Sequence, residues 1–289
     1  MAVSFGVLVT AALFLSGAVN WIYAERDVRE DAFRDLSVVS DFHADRLESY
    51  LMERLRAFRV LAESRDVYDI LGWAARRAAI ESAGGEEANW SSYVLLATKA
   101  HERFVSKASN LDLADLLILA PDHPSPVYSM RSGVKSVPEL DQDTSKSVES
   151  LWADVLRERR AVWGKPAPRG SGGRPSLTVA FPVKAVTGEG LAGVLLAVLD
   201  PGALDDILKR DAHLGATVHA GLVDEKGRFT GIGDEGVSRA LDPKLVAEVL
   251  GDGKKIRELT EAGGRHALRM VAPLGLAKTF GAPFDWVLV

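Results

Sequence analysis

The stretch GEGLAG at residues 188–193 has the glycine spacing of a dinucleotide-binding turn. In that chemistry the glycines make a tight turn, and the helix that follows offers its N-terminus to a pyrophosphate. Here VLLAVLD follows, an apolar run that reads as a strand, so the glycines are expected to close a hairpin. GSGGRPS at 170–176 lacks the Gly-Lys-Ser/Thr ending of a phosphate loop and reads as a loop only. DFHAD at 41–45 supplies Asp41, His43 and Asp45, all donors a divalent metal accepts. On a helix, side chains two positions apart point to different faces, so these three do not converge. His213, His219 and His266 have no partner at zinc-helix spacing, and no serine sits in a nucleophile elbow. Asp205-Asp206 reads as a pair of exposed helix charges. An enzyme is therefore not expected, nor a metal, nor a cofactor.

The bulk of the chain narrows the classes further. With 47% hydrophobic and 26% charged residues it has the composition of a folded protein rather than a disordered one. A net charge of -5 gives no basic footprint for nucleic acid. The absence of cysteine removes disulfides, thiolate zinc sites and cysteine nucleophiles.

What remains is a chain organised for placement. Ala2 to Ala24 contains no charged residue and ends with Trp21 and Tyr23, which suits one membrane crossing of about 20 residues. A cleaved signal peptide would want a basic start and a small-residue cleavage site, and neither is clear. From Glu25 to Ser64, apolar residues at Phe33, Leu36, Val39, Leu47, Leu51, Leu55, Phe58 and Leu61 recur three or four apart, without Gly or Pro. This spacing predicts one long amphipathic helix. Two further helices are expected at Val67–Ser82 and about Ser91–Ser109. Beyond Leu113 the pattern changes to short apolar runs with turns between them: LLILA, PVYS, AVW, SLTVAFPV and LAGVLLAVL, around a helical VESLWADVLRER. This is an α+β pattern with antiparallel strands.

That design occurs twice. LLILAPDHPSPVYS is echoed by HAGLVDEKGRFTG at 219–231, each a strand, an acidic turn and a strand. SLTVAFPV with GLAGVLLAV is echoed by ALRMVAPL at 267–274 with GAPFDWVLV at 281–289. DPKLVAEVLGDGKK stands where the first copy has its longer insert.

In this order of elements the chain resembles the double-Cache sensor region of bacterial chemoreceptors and sensor kinases. The residues carrying the resemblance are DRLESYLMERLRAFRVLAES at 45–64, LADLLILAPDHPSPVYS at 113–129 and TVAFPVKAVTGEGLAGVLLAVLD at 178–200. HLGATVHAGLVDEKGRFTGIGDE at 213–235 and FDWVLV at 284–289 continue it. The resemblance implies two tandem PAS-like sheet domains behind a transmembrane helix. Residues 1–24 would be the span and 25–90 the long helix and helical hairpin. The membrane-distal domain would cover 91–200 and the membrane-proximal one 201–289. It implies small-molecule sensing outside the bacterial inner membrane. The long amphipathic helix suggests a homodimer through parallel helices, though covering its own sheets is the simpler use of the apolar face. The output would be chemotaxis, with a histidine kinase or diguanylate cyclase as the alternatives. A module reading a periplasmic binding protein is a further alternative, and an anchored enzyme a lesser one. The chain stops at Val289 with no second span or signalling domain, as the sensor half of a longer receptor would.

The resemblance also implies where ligand lies, against the first sheet under its inserted segment. Tyr128, Ser129 and Arg131 fall there, with Trp152 on the insert helix and Trp163 and Arg169 leading to the next strand. Either arginine would clamp a carboxylate bidentately, and the aromatic rings would pack on an apolar body or a cation. The plainer reading makes Trp152 a core residue and RERR at 157–160 a solvated face. The family's amino-acid-binding subgroup carries an Arg-x-Trp-Tyr signature. Trp163 stands instead between Ala161-Val162 and Gly164, so an amino acid is not implied as the ligand. Gly215-Ala216-Thr217-Val218 replaces the Gly-x-Thr-Gly of the second domain, so no ligand role is implied there.

Overall fold

The computed structural model describes residues 2–82, 90–133, 140, 142–165, 167–168, 175–186, 190–209, 220–232, 241–262 and 265–289, with only the backbone for 2–12, 80–82, 90–93, 96, 143, 167–168, 175, 201, 209, 229–232, 261–262 and 265–266. The GATV stretch at 215–218, His213, His219, Gly188 and Arg169 lie outside these residues, as does the side chain of His266.

The long helix is continuous. α1 runs from Ala2 to Ala62, which at about 1.5 Å per residue is a rod of roughly 90 Å. Of the positions the periodicity picks out, Phe33, Leu47, Leu51, Phe58 and Leu61 are buried and Leu36, Val39 and Leu55 partly so. Among the described residues no helix is long and apolar enough to cross a membrane. A two-residue link follows, with the Val67 N–H donating to the Ser64 carbonyl. α2 (Arg65–Ser82) and α3 (Trp90–Ala108) then pack together as a hairpin.

Five strands build the first sheet. β1 (Leu113–Leu119) and β2 (Pro126–Ser129) form a hairpin, and α4 (Gln142–Glu158) crosses over to β3 (Val162–Trp163). After the small ribbon β4 (Ala167–Pro168) and β5 (Pro175–Ser176) come β6 (Thr178–Lys184) and β7 (Leu191–Leu199). All pairings are antiparallel, in the order β2-β1-β7-β6-β3. β6 and β7 are hairpin neighbours, with the Ala185 N–H donating to the Gly190 carbonyl, so the glycine run turns a hairpin as expected.

α5 (Pro201–Lys209) leads to the second sheet. It holds β8 (Gly221–Val223), β9 (Phe229–Ile232), β10 (Ile256–Ala262), β11 (Arg265–Pro273) and β12 (Val287–Leu288). α6 (Pro243–Asp252) lies between β9 and β10, and α7 (Leu276–Phe280) between β11 and β12. The order is β10-β11-β12-β8-β9. Read from its other edge this is the first sheet's order again, β9 answering β2, β8 β1, β12 β7, β11 β6 and β10 β3. The repeat read from the sequence is thus a repeat of topology.

Each sheet has two covered faces. One apolar cluster joins α1, α2 and α3 to the first sheet and continues through Leu222, Trp286 and Leu288 of the second. The opposite faces are separate: α4 closes the first with Val148, Leu151 and Val155, and α6 closes the second with Val246 and Val249. Each large side chain fully buried in these layers contributes about 1.5–3 kcal/mol. α1 is the shared spine. Its Arg54 pairs with Asp112 at 2.5 Å, just before β1, and Lys255 before β10 reaches Asp41 at 2.6 Å.

Candidate functional site

The polar residues of the first sheet gather where β1 begins and β2 ends. β1 pairs with β7 through Leu113↔Leu199 and then Asp115↔Val198, so Ala114 is an extra residue and the strand bulges. Without the bulge Leu113 and Asp115 would share a face. With it, Leu113 packs on the helix side, while Asp115 stands beside Val198 and Leu117 on the α4 side. Bulges re-aim side chains in this way, commonly beside functional sites.

Asp115 is buried, and a carboxylate there needs donors to offset its lost hydration. The Leu116 N–H donates at 2.7 Å and the Ser129 hydroxyl at 3.1 Å. Ser129 sits opposite Leu117 on β2, which puts it on the same α4 face. Its Oγ in turn accepts from the Arg131 N–H at 3.1 Å and from the Ser132 N–H at 3.4 Å. The Ser129 carbonyl accepts from the Gly133 N–H at 2.8 Å, closing a tight turn. Gly133 has φ 67°, a left-handed backbone that favours glycine.

The turn is held from the other side as well. Tyr128 points to the helices, where its hydroxyl lies 2.7 Å from Nδ1 of His101 on α3 and its ring packs edge-on against Phe104. Burial first, and then the charge of Asp115, push the Tyr128 phenol above its ordinary range. The phenol therefore stays protonated, which lets it donate to the imidazole nitrogen. Across the turn, a side chain on Gly133 would stand 3.7 Å from the His101 ring. One short turn thus ties together the buried carboxylate, α3 and the start of the segment that leads to α4.

The residues expected at the site fall into three groups. Ser129 and Arg131 belong to this turn, with Ser129 buried and Arg131 exposed. Trp152 lies on the same face but at the far end of β1, where its Nε1–H donates to the Ala120 carbonyl at 3.0 Å. Tyr128 and Trp163 face the helix layer, and Trp163 packs edge-on against Phe280 at 6.1 Å. Phe280 belongs to α7, so Trp163 joins the two sheets. Asp115 and His101 are the residues the motifs did not single out. The signal for Asp115 was present, as the one acid inside the apolar run LADLLILA.

Elsewhere, the DFHAD stretch diverges as its spacing requires, with His43 buried and Asp41 and Asp45 exposed. Among the described residues no cluster of three or more His, Asp or Glu could hold a metal ion.

With two like-ordered sheets on one long helix, the fold is that of the ligand-binding domains of bacterial chemoreceptors. The ligand-binding domain of the Pseudomonas aeruginosa amino acid chemoreceptor PctC, solved with GABA, is 18% identical at a TM-score of 0.50, covering 88% of this chain and 96% of that one. That of the Pseudomonas fluorescens chemoreceptor CtaA, solved with L-leucine, is 14% identical at 0.51, covering 91% and 95%. That of Campylobacter jejuni Tlp3, solved with L-norvaline, is 11% identical at 0.53, covering 90% of each chain. No protein-family model matches the sequence, and no curated protein matches it.

Proposed function

We propose that this chain is the extracytoplasmic ligand-sensing part of a membrane-anchored bacterial chemoreceptor. The fold correspondence runs through nearly the whole of each neighbour's ligand-binding domain, and those neighbours were solved with small organic molecules. The observation that carries the reading to a site is the buried Asp115–Ser129 pair on the α4 side of the first sheet. A small ligand with an ammonium or several N–H donors suits that carboxylate. Amino acids such as those bound by the neighbours belong on the list of candidates, though the Arg-x-Trp-Tyr departure gives the ligand carboxylate a different partner here. Arg131, on the turn itself, is the nearest candidate for it.

The division follows from the same reading: span at 1–24, long helix and hairpin at 25–90, distal sensing domain at 91–200, proximal domain at 201–289. Leu13, Phe14 and Leu15, and again Trp21, Ile22 and Tyr23, are all exposed. Three consecutive helical residues point in three directions, so no protein surface covers this segment, and an apolar medium suits it. Further along α1, the exposed Val28, Val38, Phe42, Met52 and Val60 lie within about a third of the circumference, the stripe expected of a parallel dimer seam.

Thermal-shift screening of the chain against amines, amino acids, organic acids and nucleobases tests the sensing. A ligand that raises the melting temperature of the wild type, but not of Asp115→Asn, supports the assigned site. If no small molecule shifts either protein, direct sensing fails and recognition of a partner protein's surface takes its place.

A further inference from the structure

A second concavity lies on the other side of the first sheet, between α2 and α3. It is a groove of about 420 Å³ lined by Arg65, Tyr68, Asp69, Gly72, Trp73, Arg76, Ala97, Lys99 and Arg103. That volume is within the range of small-ligand sites. The groove shares no residue with the Asp115 turn.

Its charge is one-sided. Among the described residues that line it, Arg65 and Arg76 come from α2 and Lys99 and Arg103 from α3, against the carboxylate of Asp69. This occurs in a chain whose net charge is -5. Asp69 meets Arg65 at 4.0 Å and Arg103 at 3.4 Å. Below them Asp66 is buried and takes Arg103 Nε at 2.8 Å together with Lys107 Nζ. Arg103 is thereby fixed from beneath, and the rest of its five-donor fork remains for the groove. Tyr68 supplies an aromatic wall whose hydroxyl is already committed to the Lys184 carbonyl at 2.9 Å. The Trp73 ring behind it carries Arg77 at 5.8 Å.

Gly72 is the independent observation. It stands in the interior of α2, where glycine costs about 1 kcal/mol relative to alanine. No turn or crowding calls for it, since a Cβ built there meets nothing within 4 Å. Gly72 lines the groove, and without a side chain there the space between the two cationic walls stays clear.

We propose that this groove binds a small organic anion with two or more carboxylates on a flat or compact carbon body. Cations on both walls suit two separated acidic groups, and Tyr68 suits the body between them. A ligand held in this groove would also bear on sensing, because α3 carries Lys99 and Arg103 to the groove and His101 to the Asp115 turn. The proposal is independent of what binds beside Asp115.

Calorimetric titration of the 289-residue chain with citrate, isophthalate and inorganic phosphate, at about 0.15 M ionic strength, tests it. Saturable binding of citrate or isophthalate is expected, with phosphate weaker because it has no carbon body. Gly72→Met fills the groove while favouring the helix, and Lys99→Glu reverses one wall. Each is expected to weaken binding by about ten-fold or more. Asp115→Asn is expected to leave it unchanged, which separates this site from the one beside the turn. Absence of saturable binding by both organic anions overturns the proposal, as does binding retained in both groove variants. Both positions are exposed, and unliganded melting curves confirm folding; should Gly72→Met not fold, Lys99→Glu decides alone.

Discussion

The two sheets share a strand order but differ in what their insert helices cover. Beneath α6, the second sheet presents Val223, Val271 and Val287 to Val246 and Val249, and among the described residues its strands bury no charge. On its α4 side, the first sheet presents the same kind of apolar layer and, at one end, Asp115 with Ser129. A buried carboxylate costs stability unless donors satisfy it, and an apolar residue would serve packing better. The sheet without one shows that the topology does not need it. Under the proposed function, recognition falls to the first copy and the second serves as an apolar scaffold.

One aromatic contact between the two copies is also the most sensitive to substitution. Trp163→Ala removes a buried side chain that packs on Phe280 of the second sheet, and a loss of about 3–5 kcal/mol is expected from denaturant unfolding. It should also loosen the coupling between the sheets, read as a broader unfolding transition, while α1 and the rest of the shared apolar cluster still hold them together. A transition of unchanged midpoint and breadth would show that Trp163 does not couple the copies. Next in size is Asp115→Asn, which keeps the shape but weakens the acceptor for Leu116 N–H and Ser129, with about 1–3 kcal/mol expected. An equal cost from a comparable polar substitution under α6 would remove the asymmetry.

Much of this was legible in the sequence, and the missing part has a physical reason. The three- and four-residue spacing from Phe33 to Leu61 marked α1, and the paired runs with a Pro near the strand end marked both sheets, because periodicity and turn chemistry are local. Tyr128 and Ser129 are consecutive on a strand and so face opposite sides, which the sequence already implied. What it lacked was register. The bulge at Ala114 that turns Asp115 to the α4 side exists only in the pairing with β7. The meeting of Trp163 with Phe280, and the groove formed when α2 lies along α3, likewise depend on long-range packing.

A pH titration separates the copies by electrostatics. Burial raises the Asp66 carboxyl, but hydrogen bonds from Lys107 and Arg103 outweigh it and hold the carboxyl below its ordinary range. A depressed folded-state pKa stabilises the protein above the unfolded value of about 3.9, and that stability is lost as pH falls through the folded value. Because both partners are about half exposed, roughly 1 kcal/mol is expected. Wild-type stability should therefore fall from about pH 5 downwards, and Asp66→Asn should be less stable at neutral pH with a shallower acid slope. Equal slopes in the two proteins would mean that Asp66 carries none of the acid response.

The smallest expected effect tests the repeat at its most visible point, the acidic residue at each hairpin tip. Asp224 builds its turn: its Oδ1 accepts from the N–H groups of Lys226 and Arg228, both at 2.9 Å, and its Oδ2 takes Arg228 Nε at 2.9 Å. Gly227 completes that turn at φ 76°, where a Cβ would stand 2.2 Å from the Leu241 carbonyl. Asp122 is exposed, with only His123 nearby at 3.9 Å, and its hairpin is held instead by Trp152 reaching Ala120. Asp224→Ala should thus cost about 1 kcal/mol, and Asp122→Ala should stay within about 0.5 kcal/mol of wild type, both read from denaturant midpoints. Equal costs would mean the two tips still work alike. Unequal costs mean that duplicated tips have diverged, one keeping its aspartate as a turn former while the other passed that task to the insert helix.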